Sequence, residues 1–281
     1  MKYFKILTLL SIVLFFTSCE DFFDQTTTID VPPHSPKLGV TALWIGDGDE
    51  LIVTVFSSVG ALDDETSSAV SEAVIILSEN GTQLTTFVED SYYKGYYRPI
   101  SLVNLVAGRT YELSVSATNF ETVTATQVMP KEPTIKSAKY VKANNKLHLT
   151  ISDMEGEDFY LLGIASSDSA HNGYIDSDGG LAEESGLDYS RLILRDETFS
   201  GNDISQVYDV SLYSGSGQTD SVVVNLYDVT SDYYRFDRTQ WAATNADGNP
   251  FAEPVILHRN FENGYGVFAL GNKKSLTIPV E

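Results

Sequence analysis

Cysteine is almost missing from this chain. Cys19 is the only one in 281 residues, so no disulfide closes within the chain and no multi-thiolate metal site forms. The fold must stand on its apolar core. Basic residues are also scarce, 18 Lys and Arg against 39 Asp and Glu. That balance argues against nucleic acid, which is gripped by a basic surface, and against a polybasic hold on anionic lipid. Histidine occurs four times, at 34, 148, 171 and 258, and no two stand at the i, i+4 spacing of an HExxH zinc site. No Gly-x-Ser-x-Gly elbow is present. Gly215-Ser216-Gly217 has the wrong spacing and reads as a turn. The apolar run at the start, Ile6 to Phe16, has eleven residues, about half of the 20 that a membrane-spanning helix takes.

That run nonetheless has a clear reading. Lys2 and Lys5 precede it and Ser18-Cys19 follows it. A positive start, a short apolar core and a small residue before the cleavage point describe a secretory signal over residues 1–18. The Ser18-Cys19 step resembles the lipobox of bacterial lipoproteins, where the nucleophilic thiol takes a diacylglycerol. Cys19 is therefore the expected lipidation site, carrying palmitate-type chains worth roughly 0.8 kcal/mol per buried methylene. Loss of the signal leaves 263 residues with 16 basic and 39 acidic side chains, a net charge near −23. Residues 19–36 read as a lipidated tether, acidic first and then rich in threonine and proline, which favours extended backbone.

Beyond the tether the chain reads as all-β. Residues 37–130 carry about seven short alternating runs with turns between them, the signature of a β-sandwich. AVIILSENGTQLTTFV (73–88) is a hairpin about Asn80-Gly81, the preferred type I′ pair. In TYELSVSA (110–117), Tyr111, Leu113 and Val115 share one face. Pro130 to Pro133 marks a boundary, and residues 131–281 read as a second, mainly β domain. Its strands fall at 135–143, 145–153, 158–167, 191–199, 204–214 and 221–227. Ile193, Leu194, Val207, Val210 and Leu212 are expected inside. One helix is expected after Ser231 as N-cap, with Asp232 in its first turn and Tyr234, Phe236 and Trp241 on one face. Turns are expected at Asn263-Gly264 and Gly271-Asn272.

The stretch NPFAEPV (249–255) with NFENGYGVF (260–268) resembles the C-terminal signature of a Bacteroidetes lipoprotein family of unknown function, domain of unknown function 4249. Cys19-Glu20, Thr28 to Pro32, Lys37 to Val40, Ser71 to Ile76 and Leu226 to Tyr234 agree in order. The resemblance implies an exported envelope lipoprotein. It implies an N-terminal sandwich like immunoglobulin or carboxypeptidase-regulatory domains, and for some members a place beside outer-membrane transporters. It brings no catalytic residues. Glu20 and Asp21, just behind the lipid cysteine, look like the signal that sends such lipoproteins outward. The expected location is thus the outer membrane, at the cell surface or otherwise on the periplasmic face.

Two groups of residues stand out as candidate sites. Tyr92, Tyr93, Tyr96 and Tyr97 form an aromatic cluster suited to a protein partner or a glycan, or else to the sandwich core. Asp176, Asp178 and Glu183 begin a calcium-type loop without the full EF-hand spacing, since a third oxygen ligand before the glycine is missing. Neither group points to a cofactor or a catalytic centre. The function expected is non-catalytic binding or scaffolding in the envelope. The alternatives are a glycan- or peptide-capturing lipoprotein and a carboxylate- or calcium-dependent hydrolase.

Overall fold

The computed structural model describes residues 33–46, 51–60, 63, 67–168, 173–177, 182–195, 201–212, 219–249 and 251–281. Cys19, the signal, residues 19–32 of the tether, and Asp178 lie outside the described residues.

The alternating runs become strands β1 (Leu38–Trp44), β2 (Val53–Ser57), β3 (Ser68–Ala69), β4 (Val74–Glu79), β5 (Thr82–Glu89), β6 (Tyr96–Pro99), β7 (Thr110–Ser116) and β8 (Val123–Val128). Past the proline-rich joint come β9 (Thr134–Val141), β10 (Lys146–Ser152), β11 (Phe159–Ser166), β12 (Tyr174–Ser177), β13 (Ala182–Glu184), β14 (Leu192–Arg195), β15 (Asp203–Ser211) and β16 (Ser221–Val229). Helix α1 (Ser231–Ala246) and the long strand β17 (Tyr265–Pro279) follow. The chain is predominantly β, in two sheets with one helix among the described residues.

The larger sheet runs β13-β14-β11-β16-β17-β1-β2-β6-β5-β4-β7-β8, with β3 added to β2. Two of its strands change partners part-way along. β5 pairs with β4 through Thr82 to Thr86 and with β6 through Phe87 to Glu89, so the sheet folds over there. A core closes inside the fold. Leu38, Val40, Trp44, Ile75, Leu77, Tyr111, Leu113 and Val115 fill it. The Trp44 ring stacks at 6.0 Å on Phe87 and meets Phe268 edge-on at 5.1 Å. The Asn80-Gly81 turn forms as read, both residues with positive φ.

The second core lies between β11-β16-β17 with its neighbours and the smaller sheet β12-β15-β10-β9. Ile193, Leu194 and Val210 are buried as expected. Val207 is not. It is 43% exposed, because Ile204, Tyr208 and Val210 take the inward parity of β15 and alternation sends position 207 out. β11 is buried along nearly its whole length, since α1 covers its other face. Phe159, Leu161, Tyr227, Val229 and Tyr233 form that third cluster, with Tyr234 and Phe236 packed against it. Trp241 stays 40% exposed, with the Arg238 guanidinium 5.7 Å from its ring. Thr230, not Ser231, is the N-cap. Its backbone N–H bonds Leu270 O at 2.9 Å and its hydroxyl accepts from Leu270 N–H at 3.3 Å.

The expected turn at Gly271-Asn272 does not exist. Those residues sit in the middle of β17, where the strand passes from a parallel pairing with β1 to an antiparallel pairing with β16. Glycine fits closely at 271, since a Cβ there would lie 3.0 Å from a Val229 methyl and 3.1 Å from an Ile45 methyl. The Asn272 amide donates to Pro130 O at 3.1 Å, and Lys274 pairs with Glu132 at 2.6 Å. The joint at 130–133 is thereby tied to β17, and Ser35–Glu281 clusters as one compact unit.

Candidate functional site: an exposed apolar sheet face

Of the four tyrosines singled out in the sequence, three stand outward and one inward. Tyr97 is 1% exposed. Its hydroxyl accepts from Ala73 N–H at 3.0 Å and donates to Val70 O at 2.7 Å, which makes it a core residue. Tyr92, Tyr93 and Tyr96 are 89%, 64% and 42% exposed, and they are held firmly. Asp90 accepts from the N–H groups of Tyr92 and Tyr93 at 2.8 and 3.1 Å and from Arg98 Nε at 3.1 Å. The two backbone donors, then Arg98, hold the Asp90 carboxyl below its ordinary range. Gly95 closes the turn with φ +76°, and a Cβ there would meet Val55 O at 2.7 Å. The Tyr93 and Tyr96 rings lie 6.0 Å apart and 58° out of parallel, so they do not make a flat stacking platform.

The tyrosines border a wider apolar face that the sequence reading missed. Thr85 and Phe87 point β5 into the core, so Leu84, Thr86 and Val88 point out. Ile76 on β4 is opposite Thr86, and Ile100 N–H bonds Thr86 O at 2.9 Å. Val74, Leu84, Val88, Ile100 and Leu102 are exposed, Leu102 at 94%. Arg98 is the charge within this face, opposite Val88 and paired to Asp90. A signal was present in the alternation, since Val74-Ile75-Ile76-Leu77 is apolar at both parities, which leaves an apolar outer side wherever no second layer covers it.

The signature near the C-terminus serves the fold. Asn260 bonds Phe268 in both directions, accepting its N–H at 2.9 Å and donating to its carbonyl at 2.7 Å. Phe261 is buried in the first core. Asn263 turns the chain at φ +63°. At Gly266 (φ +96°) a Cβ would lie 1.9 Å from Val40 O, so only glycine lets β17 come down on β1. Asp232, in the first turn of α1, accepts from Gln127 of β8 and pairs with His258 at 2.6 Å. Burial pushes the Asp232 carboxyl up, but the bonds from His258, Gln127 and Asn260 outweigh it and hold the group low.

A cleft of about 610 Å³ lies between the two modules, lined by 126–131, 154–159 and 228–231 among others. Asp228 opens onto it and is 5% exposed. Burial, then the charges of Asp158 and Asp153, push its carboxyl up to about 8. Of the calcium candidates, Asp178 lies outside the described residues. Asp176 lies on β12 and Glu183 on β13, where Glu183 pairs with Arg238. Among the described residues no group of three His, Cys, Asp or Glu is placed to hold a metal.

These features define a β protein with two cores that share strand β17 and with exposed apolar side chains on the outer side of β4 and β5. The chain belongs to the family described as domain of unknown function DUF4249, which matches residues 24–277. This is a Bacteroidetes lipoprotein family, and membership implies lipid anchoring and an envelope context. No curated protein matches the chain.

Proposed function

We propose that this protein is an outer-membrane lipoprotein, anchored through Cys19, that binds another envelope protein through the apolar face of β4, β5 and β6 and catalyses no reaction itself. The observation that carries this reading is the group of exposed apolar side chains at Val74, Leu84, Val88 and Ile100, on strands paired through Ile76–Thr86 and Val88–Arg98, in a chain of net charge −21. Contiguous apolar exposure on a highly charged protein marks an interaction surface. A bilayer is a poor occupant, because the face offers one arginine, already paired, where a lipid-binding surface shows a basic rim. A glycan is a poor occupant, because the rings are tilted and the face is not a concave aromatic cleft. A protein in the same membrane fits, and the eighteen-residue tether at 19–36 gives a reach of at most about 60 Å when fully extended. An outer-membrane transporter is the partner this reading favours. The first module is read as an immunoglobulin- or carboxypeptidase-regulatory-like sandwich over 37–130, completed by the first half of β17.

Cross-linking on intact cells followed by tagged purification tests this. A specific envelope protein should accompany the wild type and be lost with Val88→Asp/Ile100→Asp. Retention on a glycan array with no protein partner overturns the reading.

A further inference from the structure

The second core ends on a carboxyl. Along β16, Val222, Val224 and Leu226 fill the space between the sheets, and the same parity brings Asp228 to the next place in the row. An apolar residue fits that row. A buried carboxyl without hydrogen bonds costs several kcal/mol, and no side-chain or backbone hydrogen bond from the described residues acts on the Asp228 carboxyl. Its neighbour shows the contrast. Asp153 accepts from Tyr160 Oη at 2.9 Å and from Gly201 N–H at 2.8 Å, so both its oxygens are engaged. Asp228 instead faces the cleft between the modules.

We propose that this cleft is a binding site for an organic cation, an ammonium or guanidinium head on an aliphatic stem, as in the basic side chain of a peptide. Asp228 and Asp158 would meet the head, with Glu155 adding negative charge to the lining, while Glu157 is already paired with Arg195 at 2.6 Å. Val128, Met129, Met154 and Phe159 line the cleft with hydrocarbon, thioether and ring surface for the stem. A bare metal ion has no use for such walls, and no three-carboxylate metal group occurs among the described residues. Lys131 is the basic residue lining the cleft, and it is exposed. It competes with an incoming cation without filling the floor.

The proton on Asp228 supplies the readout. Burial first, then the charges of Asp158 and Asp153, push the carboxyl up, Lys131 pulls it down, and Tyr160 is turned to Asp153. With the group held near 8, it is mainly protonated at pH 7. A bound cation favours the ionised form, so binding releases the proton. In the empty protein the raised value works against stability. The loss is absent below about 3.8, grows as pH rises, and is complete above about 8.

The test is calorimetry on the full-length protein in detergent at pH 7, in two buffers of different ionisation enthalpy. The titrants are Gly-Lys-Gly, Gly-Arg-Gly, Gly-norleucine-Gly and calcium alone. At least one basic peptide should bind with release of up to one proton, and the norleucine peptide should not. Asp228→Asn and Asp158→Asn should each weaken binding at least tenfold, Asp228→Asn should abolish the proton release, and Lys131→Met should tighten binding a few-fold. Thermal unfolding checks that each variant is folded, and Asp228→Asn should flatten the decline in stability between pH 5 and 8. The proposal is overturned if neither basic peptide binds, if the norleucine peptide binds as well, if Asp228→Asn keeps full affinity, or if calcium takes the site in place of the peptides. None of these readouts involves the apolar face, so failure here leaves the proposed partner role untouched.

Discussion

Two sheet faces among the described residues are finished differently. On β9, β10 and β15 the outward side chains, Val207 apart, include matched polar pairs. Lys136 pairs with Asp203 at 2.5 Å and Lys146 with Asp209 at 2.7 Å, and the hydroxyls of Thr150 and Ser205 lie 2.9 Å apart. On β4 and β5 the outward positions include Val74, Ile76, Leu84 and Val88, with Ile100 just past β6 and Arg98 of β6 the charge among them. Both faces come from alternating strands of similar length, so backbone geometry does not explain the difference. Side-chain choice does. One face satisfies itself in water, and the other leaves apolar area that a partner would cover.

The comparison can be broken most severely where both faces hang on one strand. Gly266→Ala puts a Cβ into Val40 O at a positive φ. It should destabilise the whole unit by more than about 3 kcal/mol in denaturant unfolding. A near-wild-type midpoint would show that β1 and β17 do not depend on each other. Next comes Val88→Asp/Ile100→Asp, which should weaken partner capture about a hundredfold, near 2.7 kcal/mol. Stability should move by only about 0.5 kcal/mol, because both side chains are exposed. The matching change on the polar face, Val207→Asp, should leave capture intact, and equal loss from both would sink the distinction. Tyr97→Phe should cost about 1 kcal/mol by stranding the Ala73 N–H beneath the apolar face. Lys146→Ala should cost less than about 0.5 kcal/mol, as exposed ion pairs do.

Much of the fold was legible because period-two alternation is a local signal. The Asn80-Gly81 hairpin, the inward row Tyr111-Leu113-Val115 and the helix after Thr230 follow from neighbours in sequence. What escaped is set by distant partners. Gly271-Asn272 has the composition of a turn, yet it continues a strand because β16 and the joint at Pro130 hold it extended. Val207 looks like core by type and is surface by parity. The apolar face was hidden for a related reason. Val74, Val88 and Ile100 each look like ordinary strand residues, and only the pairing of β4 with β5 and of β5 with β6 brings their strands together. Asp228 gave a usable sign, an acid closing the row 222-224-226, but its burial depends on the sheets packed around it. Tyr97 was grouped with its neighbours by composition, and the turn at Gly95 separates it from them.

The strand shared by the two modules also sets the order in which they can be finished. Gly39 pairs with Tyr265, positions 226 apart, and the same strand goes on to pair with β16. A chain delivered from its N-terminus therefore holds β1 with one edge open, and both cores incomplete, until residues 265–279 arrive. Contacts this distant in sequence form slowly, and an unpaired edge is a site for wrong pairing meanwhile. Loss of the last fifteen-residue strand would therefore leave no half-protein with one sound module, but a chain that escorts and proteases treat as unfinished throughout.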